Sequence, residues 1–166
     1  MGRKSVKENK NIYHLSREAL GYSRAIAAEK MKYISADRIE KIENEKSLPH
    51  PEEVLAMADC YHNPSLCNHF CSHECPIGQE YVPEVQAKEL SQITLEMLST
   101  LNILSNEKDR LIEIAVDGEI SEDEIPDFVA IQKNLEKMSM IIDSLNLWVN
   151  NTIASGKIDR QLIEKQ

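Results

Sequence analysis

Cys60, His62, Cys67, His69, Cys71, His73 and Cys75 lie within sixteen residues of one another, and thiolate and imidazole are the ligands of tetrahedral zinc. On a helix Cys67 and Cys71 share one face, with Cys75 four residues further on, so Cys67, Cys71 and Cys75 are the candidate metal ligands. The intervals are not the Cys-x-x-Cys of a zinc knuckle, and small thiols at four-residue spacing also suit burial against a neighbouring helix. Zinc and plain packing both stand at this point. A thiol-responsive switch is a third reading, with little nearby positive charge to stabilise a thiolate.

Asp117-Gly118-Glu119-Ile120-Ser121-x-x-Glu124 has the spacing of the second half of a calcium loop. Counting back puts Glu113 at the first ligand position and Ala115 at the third, where a carboxylate is wanted. A turn between two helices accounts for the same residues with less. The chain has no phosphate-binding glycine loop and no nucleophile elbow. Its carboxylates are scattered as on a solvated helical surface, so no enzymatic activity is expected and zinc is the only candidate cofactor.

The elements that would position any site are helical. Aromatic residues make up 5% of the chain, with 5 Gly and 6 Pro, which favours helices over a sandwich or barrel. Ile12, Leu15 and Ala19 put an apolar stripe on a first helix that Gly21 can stop. Ser23 suits the N-cap of a second helix, Arg24 to Met31, with Ala27, Ala28 and Met31 as its packing face. Ser35 caps a third helix with Ile39 and Ile42 inward and Asp37, Arg38, Glu40 and Lys41 outward. Pro51 suits the first turn of a fourth, Pro51 to Tyr61, with Val54, Ala58 and Tyr61 inward. Ser65 to Ser72 can make a short fifth helix, and Pro76 and Gly78 mark residues 73–83 as a connector.

Residues Asn11 to about Tyr61 resemble the helix-turn-helix domain of the phage-repressor type, the lambda repressor and Cro-like family. GYSRAIAAEKM, the serine-capped ISADRIEKIEN and LPHPEEVLAMADCY match a family pattern of the form G-L-T-Q-x-x-A-A-E-x-L … I-S-x-x-x-[IL]-x-x-[IY]-E-N-G. The resemblance implies a DNA-contacting set of Ser23, Arg24, Ser35, Ala36, Asp37, Arg38 and Lys41. In it Arg24 takes the place of a phosphate-contacting Gln, Ala36, Asp37 and Arg38 fall where bases are read, and Lys41 falls near the backbone. Lys32 and Glu45 stand where the pattern has glycine. Asp37, Glu40, Glu43 and Glu45 make the surface less basic than that of a typical DNA reader.

Charge is unevenly divided. Residues 1–46 hold 11 Lys/Arg against 7 Asp/Glu, and residues 47–166 hold 8 against 21. A basic front on an acidic body is compatible with a nucleic-acid partner. Residues 1–10 read as a flexible basic arm. No stretch approaches the roughly 20 apolar residues of a membrane span, and MGRKSVKENK lacks the apolar core of a signal peptide. A cytoplasmic protein with free thiols and no membrane partner is therefore expected.

Between Pro83 and Asp117 there is neither Gly nor Pro. Leu90, Met97, Leu104 and Leu111 fall at one heptad position, and Ala87, Thr94, Leu101 and Ala115 at the other. Ser121 and Glu124 have capping-box spacing for a second long helix, with Phe128, Gln132, Leu135, Met138, Ile142, Leu145, Val149 and Thr152 on its inner face. The expected architecture is all-α. A five-helix repressor-like domain (11–72) and a connector (73–83) precede a long antiparallel hairpin (84–153) and a frayed tail (154–166). The hairpin's broad apolar faces point to a homodimer, the alternative being that it folds back on its own first domain. The functional expectation is a dimeric, sequence-specific regulator bound to double-stranded DNA. The alternatives are a protein-interaction module of the same architecture without strong DNA affinity, and a metal- or thiol-responsive regulator.

Overall fold

In the computed structural model, which describes residues 9–159 and 161, the chain is all-helical, with no strand among the described residues. The expectations for the basic arm at residues 1–8 and for the tail at 160 and 162–166 lie outside the described residues. Two compact units are distinguished, Met1–Glu84 with Asn150–Gln166 and Val85–Val149. No helix among the described residues is long and apolar enough to cross a membrane.

The first unit begins with α1 (Ile12–Ala19), α2 (Arg24–Met31), α3 (Ala36–Glu43) and α4 (Pro51–Cys60). Each start has a local cause. The Asn11 side chain accepts the His14 N–H, Ser23 that of Ile26 and Ser35 that of Arg38. These satisfy backbone donors that a helix cannot satisfy internally. Pro51 opens α4, and the Glu53 carboxylate reaches back to the His50 N–H at 2.7 Å. The core gathers Ala27 and Met31 of α2, Ile39 and Ile42 of α3, and Val54, Met57 and Ala58 of α4, closed by Ile34, Tyr61 and Leu66.

The inward face of α1 departs from the expected apolar stripe. Leu15 and Ala19 face solvent, while Tyr13, His14, Ser16 and Arg17 are buried. The reason is a polar partner inside the domain: α1 packs around the buried Glu43 of α3 rather than against hydrocarbon alone.

Residues 73–83 are not a simple connector. α5 (Ser65–His69) runs directly into a π-helical turn at Phe70–Glu74, followed by α6 (Pro76–Tyr81). Pro76 occupies the first helical turn, where its missing N–H costs nothing. A Cβ on Gly78 would lie 2.0 Å from the Cys71 carbonyl oxygen, so only glycine lets α6 pack this closely on the π-turn.

The second unit is carried by α7 (Leu90–Ala115) and α8 (Ile125–Ala154). Arg110 Nε donates to Asp127 at 2.7 Å, and the Asn134 amide to Glu107 at 2.9 and 3.0 Å, bridging the two helices. The buried or half-buried row on α7 is Ile93, Met97, Thr100, Leu104, Glu107, Leu111 and Ile114, a regular alternation of four and three. The Met97, Leu104 and Leu111 row thus lies on this seam as expected. Its companions are Ile93, Thr100 and Ile114, not Thr94, Leu101 and Ala115, which are exposed. On α8 the fully buried positions are Ile131, Ile141, Ser144 and Leu147, whereas the expected Gln132, Leu135 and Ile142 are exposed. On both helices one expected row holds (Met97, Leu104 and Leu111; the half-buried Phe128, Met138 and Leu145), and its companions lie one residue earlier than the sequence reading.

Between them, Asp117 accepts the Glu119 N–H, Gly118 takes a positive φ of 75°, and the Glu124 carboxylate accepts the N–H and hydroxyl of Ser121. The calcium-like spacing serves turn and cap hydrogen bonds here.

Candidate nucleic-acid interface

The helix-turn-helix candidate is built on a buried ion pair that the sequence reading missed. Arg17 Nε and Nη2 donate to the two oxygens of Glu43 at 2.5 and 2.9 Å, and Arg17 Nη1 donates to the Tyr22 carbonyl at 2.6 Å. Arg24 Nε adds a third bond to Glu43 at 2.8 Å. Glu43 is 0% exposed. Burial alone would raise its pKa, but the bonds from Arg17 and Arg24 outweigh that and hold it below the ordinary value. Glu43 therefore adds no charge to the outer face of α3, contrary to its sequence reading as a surface acid. No sequence signal marked the pair: Arg17 is flanked by Ser16 and Glu18, and its partner lies on another helix.

Arg38, expected where bases are read, has four of its five N–H groups engaged within the domain. Nε and Nη2 grip both oxygens of Glu53 at 2.7 and 2.6 Å, Nη1 donates to Ser47 at 2.5 Å, and Nη2 donates to the Leu48 carbonyl at 2.9 Å. The Arg38 hydrogen bond is the main cause holding the Glu53 carboxyl below its usual range. A two-oxygen fork of this kind fixes geometry as well as charge. Arg38 is thus a strut between α3, the following loop and the start of α4.

The other named residues sit as follows. Ser23 and Ser35 spend their hydroxyls on capping. Arg24 is partly exposed and also meets Glu40 at 3.3 Å. Ala36 opens α3 and is half-buried, while Asp37, Glu40 and Lys41 are exposed. Lys41 Nζ lies 2.7 Å from Asp37, whose carboxyl it holds below the usual range. An exposed pair such as this is weak and exchanges readily for a phosphate. Lys32 and Glu45 adopt positive φ, 66° and 58°, at the two places where the family pattern carries glycine.

Cys60, Cys67, Cys71 and Cys75 are free and half-buried. Among the described residues no three His, Cys, Asp or Glu side chains converge as a metal-holding group. Cys67 lies in α5 and Cys71 in the π-turn, whereas Cys75 follows that turn in extended backbone. Burial pushes the Cys60 and Cys67 thiols up, which works against a reactive thiolate. The histidines serve packing: His69 and His73 stack at 4.6 Å between ring centroids, and Tyr13 meets His69 edge-on.

Comparison with known protein families, curated proteins and solved structures found no match.

Proposed function

We propose that this chain is a DNA-binding transcriptional regulator. Residues 11–61 would act as a repressor-like helix-turn-helix, and α7 and α8 would form an antiparallel hairpin through which two copies associate. One observation carries the reading. Two serine-capped helices, α2 and α3, share a core of Ala27, Met31, Ile39 and Ile42, and α3 keeps Ala36, Asp37, Glu40 and Lys41 on its open side. A short helix held this firmly, with polar side chains outward, has the form that enters a major groove. Lys41, whose ion pair is exposed, is the cation best placed to meet phosphate. Arg24 could contribute only by leaving Glu40.

A second reading is favoured by a specific feature. Arg24, Arg38 and Lys41 each sit against a carboxylate, which suits a protein-interaction module that keeps this architecture without strong DNA affinity.

Binding to duplex DNA at several salt concentrations separates the two. Lys41→Ala should weaken binding to every sequence alike and lower the salt slope by about one, and Asp37→Asn should tighten it. If neither change alters affinity, α3 is not at the interface and the interaction-module reading takes over.

A further inference from the structure

α7 and α8 each carry two apolar rows, and the seam uses only one. On α7 the second row contains Leu98, Leu101 and Ile112; on α8 it contains Val129, Leu135 and Ile142. All six are roughly half exposed. Each row lies one residue past the buried one: Leu101 follows Thr100, and Ile142 follows Ile141. One residue turns the side chain by about 100° around a helix axis. In an antiparallel pair, the same one-residue step along both chains rotates the two rows toward the same side. The rows therefore merge into one face, two helices wide, rather than falling on opposite sides.

From the geometry we infer that this face is the contact with a second copy of the chain, closing a four-helix bundle; the inference rests on the antiparallel hairpin proposed above. Size is the first argument. Leu98 to Ile112 and Val129 to Ile142 each span about 20 Å of helix, and two adjacent helices give a patch of roughly 20 Å by 20 Å. That area lies within the range of the largest apolar patch monomers leave uncovered, about 300–600 Å². It also approaches the apolar share of a standard interface, which buries about 800 Å² per partner.

Charge is the second argument, and it selects the occupant. A two-fold contact sets each patch against its own copy, so any net charge on it meets itself. Residues 47–166 are strongly acidic, yet the row from Thr94 to Ala115 holds one charged residue, Lys108, and the row from Ile125 to Val149 (Val129, Gln132, Leu135, Ser139, Ile142, Asn146) holds none. A strip with a single charged residue on an acidic body suits self-association better than it suits a nucleic acid or a charged peptide.

The test is light scattering on the full chain at tens of micromolar without nucleic acid, so that its outcome is independent of DNA binding. The wild type should be a dimer. The double variant Leu101→Glu, Leu135→Glu should be a monomer with unchanged far-ultraviolet circular dichroism. Ile103→Glu, also exposed but about 200° around α7 from Leu101, should remain dimeric. If the double variant loses helix, the single variant Leu101→Lys replaces it and should raise the dimer dissociation constant at least tenfold. A monomeric wild type overturns the inference, as does a folded double variant that is still dimeric, a Leu101→Lys protein with unaltered dissociation, or a monomeric Ile103→Glu protein.

Discussion

Replacing Glu43 by Ala should remove about 3–5 kcal/mol of the first unit's stability. The substitution removes three charge-assisted hydrogen bonds, at 2.5, 2.9 and 2.8 Å, and leaves the Arg17 guanidinium buried with the Tyr22 carbonyl as its remaining bond described above. Breaking one side of a buried pair costs about 3–5 kcal/mol, because the surviving charge stays out of water without its partner. Small domains have total stabilities of about 5–15 kcal/mol. At about 4–8 °C per kcal/mol the melting temperature should fall by 12 °C or more. Replacing both members, Arg17→Met with Glu43→Leu, removes the stranded charge and should recover most of the loss. Denaturant unfolding followed by circular dichroism reads all three proteins.

Acid sensitivity follows from the same pair. Glu43 holds its proton more weakly in the fold than in the unfolded chain, whose ordinary value is 4.5. The unfolded state therefore takes up more protons as pH falls, so the pair's contribution is complete above about 4.5 and is lost as pH drops through the depressed folded value. Glu43→Gln should flatten that acid limb. A cost for Glu43→Ala below about 1 kcal/mol would refute the reasoning, since that is what an exposed pair gives.

Three further outcomes can be checked by thermal melting. Arg38→Ala strands Glu53, whose side chain is 13% exposed, and should cost about 1–3 kcal/mol. Gly78→Ala forces a Cβ to within 2.0 Å of the Cys71 carbonyl oxygen and should cost at least about 1–3 kcal/mol, whereas free accommodation would contradict the close packing of α6 on the π-turn. Lys32→Gly and Glu45→Gly, at φ of 66° and 58°, should each stabilise by up to about 1–2 kcal/mol.

The boundaries of α2, α3 and α4 are legible in sequence to within a residue because Ser23, Ser35 and Pro51 punctuate them chemically. The inward face of α1 is not, because its buried members are polar: hydropathy cannot distinguish an Arg17 that has a buried partner from one in water. Pro76 and Gly78 read as breakers, yet the proline fits a helix start and the glycine fits a close approach. On α7 and α8 the periodicity is visible but the phase is not. With apolar residues at both Thr100–Leu101 and Ile141–Ile142, the rows compete, and only the partner helix decides which is inside. Among the DNA-contacting candidates, the grip of Arg38 on Glu53 was not legible because that partner lies fifteen residues away on another helix.

The central claim is that α3 reads DNA for a dimer, and it meets its most direct test in selection of bound fragments from random-sequence duplexes at low salt. The account predicts enrichment of a two-fold palindrome whose half-sites are spaced by whole helical turns, with the same palindrome recovered at lower yield by the Lys41→Ala protein. Recovery of unenriched sequence by folded, dimeric wild-type protein would contradict it.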